Sequence, residues 1–192
     1  MTIPKKLFHY SQQEILGLKE DFYERLKEYW PEEGCMKPCG LWLSVEDDVE
    51  DMNWFEWCKK EEFKVEGLKY RYSARLSDDA KILHISSKKE LERFSEEYRS
   101  ELHNIQSESV TCINWLRVKE KHDGIIISPY RWDCRLSNDA WYYPWDCSSG
   151  CIWSLDKVSL KLDSIIDVEA LKESLQEESS TDSLLASLVL SA

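Results

Sequence analysis

Three groups of residues in this chain combine types and spacing that could do chemistry. The first is Phe8-His9-Tyr10-Ser11, where a histidine stands beside a tyrosine and a serine. A histidine at a strand end offers a ligand one donor and one acceptor near neutral pH. The second is Gly40-Leu-Trp42-Leu-Ser44. In an extended strand Trp42 and Ser44 share a face. A hydroxyl beside a flat ring suits a planar heterocycle or a sugar. The third is the run from Pro129 to Trp153. It holds Arg131, Asp133, Arg135, Tyr142, Trp145 and Asp146, and four of the nine tryptophans. Such a non-periodic stretch of aromatics, acids and arginines lines a site more often than it fills a core.

The elements that must position these groups follow from periodicity. Leu7–Ser11 reads as a strand, and Ile15, Leu16, Tyr23, Leu26 and Trp30 recur at helical spacing over 12–30. Leu41–Val45 reads as a buried strand. Asn53 is a suitable cap for a helix over Trp54–Glu62, with Glu56 placed to close a capping box. Leu68–Leu76 and Lys81–Ile85 read as strands. Ser87 caps a helix over Lys88–Tyr98, and Ile113–Glu120 reads as a short helix. Asp123-Gly-Ile-Ile-Ile-Ser128 joins a turn signal to three β-branched residues, the clearest strand in the chain. Gly150–Leu155 is a final strand that Lys157–Lys161 extends, and a helix is expected from Asp163 to about Glu178. Strands and helices intermix without a regular βαβ period, and there is no Gly-rich phosphate loop. The expected class is α+β: mixed or antiparallel sheets with flanking helices over 1–162, then an acidic helix and tail over 163–192.

Composition narrows the function classes. The net charge of the 192 residues is −12, which opposes a broad grip on nucleic-acid backbone. Residues 163–192 carry −6 of it, with seven acids and one base, and so form a compositionally separate piece. No apolar run reaches the roughly 18 residues of a membrane helix, and the first residues lack the apolar stretch of a secretory signal. The seven cysteines are an odd number, which points to reduced thiols in a cytoplasmic protein rather than a disulfide framework. Cys35 and Cys39, and Cys147 and Cys151, are each separated by three residues. Four thiolates could hold a zinc ion, but structural zinc pairs favour two-residue spacers, so no metal is expected. A cysteine nucleophile with His9 as base is a further option, though nothing marks which cysteine.

In the order of these pieces the chain resembles the ADP-ribosyltransferase-like superfamily of NAD-using toxins and effectors. The resemblance rests on LFHYS, then GLWLS with a helix behind it, then DGIIISPY, then an aromatic loop leading into GCIWSLDKVSL. It covers about residues 6–160. In that superfamily an early strand carries His or Arg that holds the nicotinamide ribose. A second strand carries Ser or an aromatic that packs on nicotinamide. A late strand or its preceding loop carries a catalytic acid. The resemblance implies that His9 and Tyr10 hold the ribose and that Trp42 and Ser44 pack on the ring. It implies Tyr142 or Trp145 as the other side of a sandwich, and Arg131 or Arg135 on the diphosphate. The catalytic acid is implied to be Asp146 or Asp133, where many members place Glu with Glu or Gln two residues earlier. The expected function is thus NAD-dependent ADP-ribosyl transfer by a monomer, to a protein rather than a nucleic-acid acceptor. The acidic end resembles the export signals of effectors delivered into host cells. The competing classes are an inactive binding module of the same fold and a protein-interaction factor that mimics an acidic surface.

Overall fold

The computed structural model describes residues 3–18, 37–47, 51–100, 112–136 and 141–177. The class is α+β, with one mixed seven-stranded sheet. The strands are β1 (Leu7–Ser11), β2 (Leu41–Val45), β3 (Tyr70–Leu76), β4 (Ile82–Ile85), β5 (Gly124–Ile127), β6 (Ser149–Ile152) and β7 (Val158–Ile165). Their order across the sheet is β4-β5-β6-β2-β1-β3-β7. β4 and β5 run parallel, and every other pairing is antiparallel. The helices are α1 (Trp54–Lys60), α2 (Lys88–Glu97), α3 (Trp115–Lys119) and α4, which is helical over 168–177.

Burial on both faces explains the run of three isoleucines in β5. Ile125 and Ile127 enter one core cluster and Ile126 the other, because successive side chains leave a strand on opposite faces. The same alternation sends Leu41, Leu43 and Val45 of β2 to one side and Trp42 to the other. The first cluster is aromatic. Phe94 and Tyr98 of α2 and its end meet Trp115, Trp141, Tyr142 and Trp145. Trp141 Nε1 donates to Ser95 Oγ at 2.9 Å. β5 and β6 approach closely enough that a Cβ on Gly150 would stand 2.7 Å from Ile126 Cγ1 and 2.9 Å from the Ile125 carbonyl oxygen.

Caps set two helices as their sequences predict. Asn53 Oδ1 accepts from Glu56 N at 3.0 Å, and Ser87 Oγ accepts from Glu90 N at 3.3 Å. The capping box expected at α1 is half formed, because the Glu56 carboxylate pairs with Lys59 at 3.3 Å. Other expectations change. Residues 12–18 are irregular rather than helical, and the remainder of the helix expected there lies outside the described residues. Residues Val65–Leu68 form a 3-10 turn that delays β3 to Tyr70. β6 ends at Ile152, and β7 is not its extension. A 3-10 turn at Leu155–Lys157 redirects the chain, and β7 pairs with β3 at the opposite edge of the sheet. β7 runs through 162/163, where the acidic segment was expected to begin, and α4 starts only at 168. Leu171 and Leu175 of α4 pack on the cluster of Cys58, Val65 and Leu68. The expected tail over 179–192 lies outside the described residues.

Candidate functional site

The sheet opens between two of its central strands. β1 pairs with β3 along its whole length, Leu7 to Ser11, and β2 pairs with β6 from Leu41 to Ser44. β1 and β2 meet only at Leu7↔Val45 and Phe8↔Ser44. Beyond that point they diverge, so the edges of His9–Ser11 and Leu41–Leu43 that face each other are free of ladder pairing. A cleft of about 260 Å³ fills the split. Phe8, His9 and Tyr10 line it from β1, Trp42, Leu43 and Ser44 from β2, and Asp146, Cys147 and Ser149 from the segment entering β6, with Lys37 and Trp54 at its margins.

Three sequence groups predicted to carry chemistry therefore meet. His9, Tyr10, Trp42, Ser44 and Asp146 lie on one cleft. His9 Nδ1 donates to the Trp42 carbonyl oxygen at 2.8 Å, across the split. That bond assigns the ring proton to Nδ1 and leaves the Nε2 lone pair as an acceptor. Tyr10 Oη donates to Glu46 Oε1 at 2.8 Å and accepts from Arg71 Nε at 3.0 Å. The Arg71 guanidinium lies 3.5 Å over the Phe8 ring and also pairs with Glu46 at 2.7 Å and Asp163 at 2.6 Å. One arginine thus ties β1, the end of β2, and β7 together on the β1 side of the split. Ser44 Oγ accepts from Trp54 N at 3.1 Å, so it both lines the cleft and holds the start of α1.

Asp146 is ion-paired with Arg135 at 3.0 Å. Burial raises its pKa above the usual carboxylate value, and Lys37 and Arg135 act against that rise. The Cys147 thiol is pushed up to about 12, chiefly by burial. A nucleophilic cysteine needs the opposite shift, so Cys147 is not an activated thiolate.

The other predicted residues are placed elsewhere. Asp133 is exposed and paired with Arg131 at 3.0 Å. The Arg131 backbone N–H donates to Tyr142 Oη at 2.8 Å, and neither Arg131 nor Asp133 lines the cleft. Tyr142 and Trp145 are fully buried. Tyr142 stacks on Tyr130 at 5.4 Å, and Trp145 meets Trp42 edge-on at 4.9 Å. Trp145 is therefore a support behind Trp42 rather than the far wall of a ring sandwich. Among the described residues no group of three or more His, Cys, Asp or Glu gathers to hold a metal. Cys58, Cys134, Cys147 and Cys151 are free thiols and Cys112 is disulfide-bonded, against the expectation of reduced cysteines, while Cys35 lies outside the described residues.

The chain matches no protein-family model, no curated protein and no solved structure. The site must be read from its own geometry. Sequence reasoning missed Lys37, which stands alone near a turn in no recognisable pattern, and Glu46 and Arg71, which come together only across strands.

Burial lowers the pKa of His9 below its usual 6.5, against the hydrogen bond to Trp42, which raises it. The folded state thus resists a proton that the unfolded chain accepts. The stability that neutral His9 contributes is complete above 6.5 and is lost as pH falls below it. Thermal melts of the wild type should show a falling Tm from neutral pH downward. His9→Asn keeps an amide donor near the Nδ1 position but does not titrate, and should flatten that slope. Equal slopes for the two proteins would show that His9 is not the titrating group.

Proposed function

We propose that this protein cleaves NAD and transfers its ADP-ribosyl group to a protein acceptor. The observation that carries the reading is the split between β1 and β2, which gathers His9, Tyr10, Trp42, Ser44 and Asp146 from three separate segments. These are the positions that the resemblance to the ADP-ribosyltransferase-like superfamily assigns to ribose, ring and acid. A cleft of about 260 Å³ is at the low end for organic ligands and suits a ring with its sugar rather than a whole dinucleotide.

Each group has a chemical part. Trp42 offers its π face to the cationic nicotinamide ring. The free edges of β1 and β2 offer backbone donors and acceptors to the ring's amide. His9 Nε2 accepts from a ribose hydroxyl. When the C1′–N bond breaks, its electron pair goes to the ring nitrogen and neutral nicotinamide leaves. Positive charge then develops on the ribose, as in glycoside hydrolysis. The Asp146 carboxylate stabilises that charge. The acceptor's nucleophilic atom bonds C1′, and its proton passes to Asp146. The −12 net charge favours a protein acceptor over a nucleic acid. No helix among the described residues is long and apolar enough to cross a membrane.

A second reading draws on the ion pair that holds Asp146 to Arg135: the chain binds the nucleotide without turnover. Titration calorimetry with NAD and an assay of nicotinamide release separate the two. Binding is expected in both, release only in the first. His9→Ala should weaken NAD binding by about 1–3 kcal/mol, the cost of leaving a buried polar partner unpaired. Unchanged affinity would place the nucleotide elsewhere.

A further inference from the structure

The cleft holds an ammonium with no direct hydrogen-bond or ion-pair partner among the described residues. Lys37 and Asp146 are the charged residues among its described lining. Asp146 is already paired with Arg135 at 3.0 Å. His9 is held toward its neutral form. Glu46, behind Tyr10, is paired with Arg71 at 2.7 Å. Glu61, the next acid toward Asp146, is exposed at the end of α1, where water and salt screen it. Lys37 makes no hydrogen bond or ion pair among the described residues. Its ammonium lies 4.8 Å over the Trp42 ring. Among the described residues Lys37 thus has no direct ion-pair partner, and the Asp146 carboxylate, itself bonded to Arg135, acts on it only through space.

A π face compensates an ammonium only partly. Three N–H donors are left for a stronger acceptor. Burial lowers the pKa of Lys37 and the Asp146 carboxylate opposes this, so an anion brought beside the ammonium opposes it further. The two arginines expected to meet a diphosphate are committed elsewhere, Arg131 to Asp133 and Arg135 to Asp146.

We infer that Lys37 is the anion-receiving group of the cleft, and that it selects a phosphorylated nucleoside over the free nucleoside. A flat ring settling on Trp42 displaces the ammonium from that face. The flexible four-carbon stem then carries it to a phosphate oxygen on the ligand's sugar. The nature of the ring rests on the function proposed above; the phosphate rests on the position and unused donors of Lys37 alone.

The test is calorimetric titration of two ligand pairs against the wild type, Lys37→Met and Lys37→Arg. One pair is nicotinamide mononucleotide and nicotinamide riboside; the other is ribose 5-phosphate and ribose. In the wild type the phosphorylated member of each pair should bind about tenfold tighter or more, the size of a charge-assisted hydrogen bond. Lys37→Met should abolish that preference and leave the unphosphorylated members within about twofold, while Lys37→Arg keeps it. Lys37→Gln replaces Lys37→Met if the latter melts early. A preference that survives both neutral variants overturns the assignment. So does a wild type that binds nicotinamide riboside but gains nothing from the phosphate, although the proposed function then stands. If the nicotinamide compounds do not bind but ribose 5-phosphate is preferred through Lys37, the nicotinamide reading falls and Lys37 stands. If none of the four binds, both fall.

Discussion

Asp146→Asn is expected to lower the rate of nicotinamide release by about 10²-fold or more, the effect of removing one preorganised charge from a developing cation. The same change at Asp133 should leave the rate within about twofold, because Asp133 is exposed, paired with Arg131 and away from the cleft. The contrast matters because the sequence offered both acids, Asp146 by its place before the last strand and Asp133 by its spacing to Arg131. Asp146→Asn also removes the partner of Arg135, which is bracketed by Trp132 at 5.7 Å and Tyr143 at 5.5 Å. A partly buried guanidinium left unpaired costs stability, so the variant's melting curve must accompany its rate. A folded Asp146→Asn protein with full activity would remove Asp146 from the mechanism. Equal losses at Asp133 and Asp146 would point to a role for the whole loop instead.

Trp145→Ala should cost about 3–5 kcal/mol of stability, the range for truncating a large buried aromatic. For a protein of this size that is a fall in Tm on the order of 10 °C. Trp145 has no exposed surface and packs against both Trp42 and Trp141, at 4.9 and 6.3 Å between ring centroids. The conservative Trp145→Phe should recover most of the stability and leave NAD affinity within a few-fold, since the ring behind Trp42 is retained. Trp42→Phe should keep the fold but weaken NAD binding, because Trp42 itself lines the cleft. If Trp145→Phe instead lost affinity at unchanged stability, Trp145 would be a ligand contact and the supporting role would be refuted.

The split pattern of these two tryptophans shows what local sequence can and cannot say. Strand and helix positions were legible wherever a short-range rule governs them. Asn53 and Ser87 cap their helices because the acceptor and the N–H it serves lie three residues apart. The isoleucines of β5 declared a strand buried on both sides. The pairing of Trp42 with Ser44 was legible because a period of two places them on one face, whereas the adjacent His9 and Tyr10 share the cleft only because it opens at the strand edge.

Spacing to Arg131 favoured Asp133 and position before the last strand favoured Asp146; only the path of the loop between β5 and β6 puts Asp146 on the cleft and Asp133 outside it. The aromatic stretch read as a site lining, and most of it is core. Tryptophan and tyrosine carry the same sequence signal in either role, and only burial against α2 and α3 separates them. The edge position of β7 escaped the sequence as well. A 3-10 turn of three residues sends it to β3 instead of β6, and strand partners are chosen by contacts far apart in the chain. The cleft belongs to this second kind of information. Residues near 9, 42 and 146 meet because β1 and β2 pair at two positions and then part. Lys37 became part of the site only because that opening left its ammonium over Trp42. Local propensity determined the pieces and the faces they present. Long-range strand pairing decided which pieces share a cleft, and with it the charge that the cleft holds.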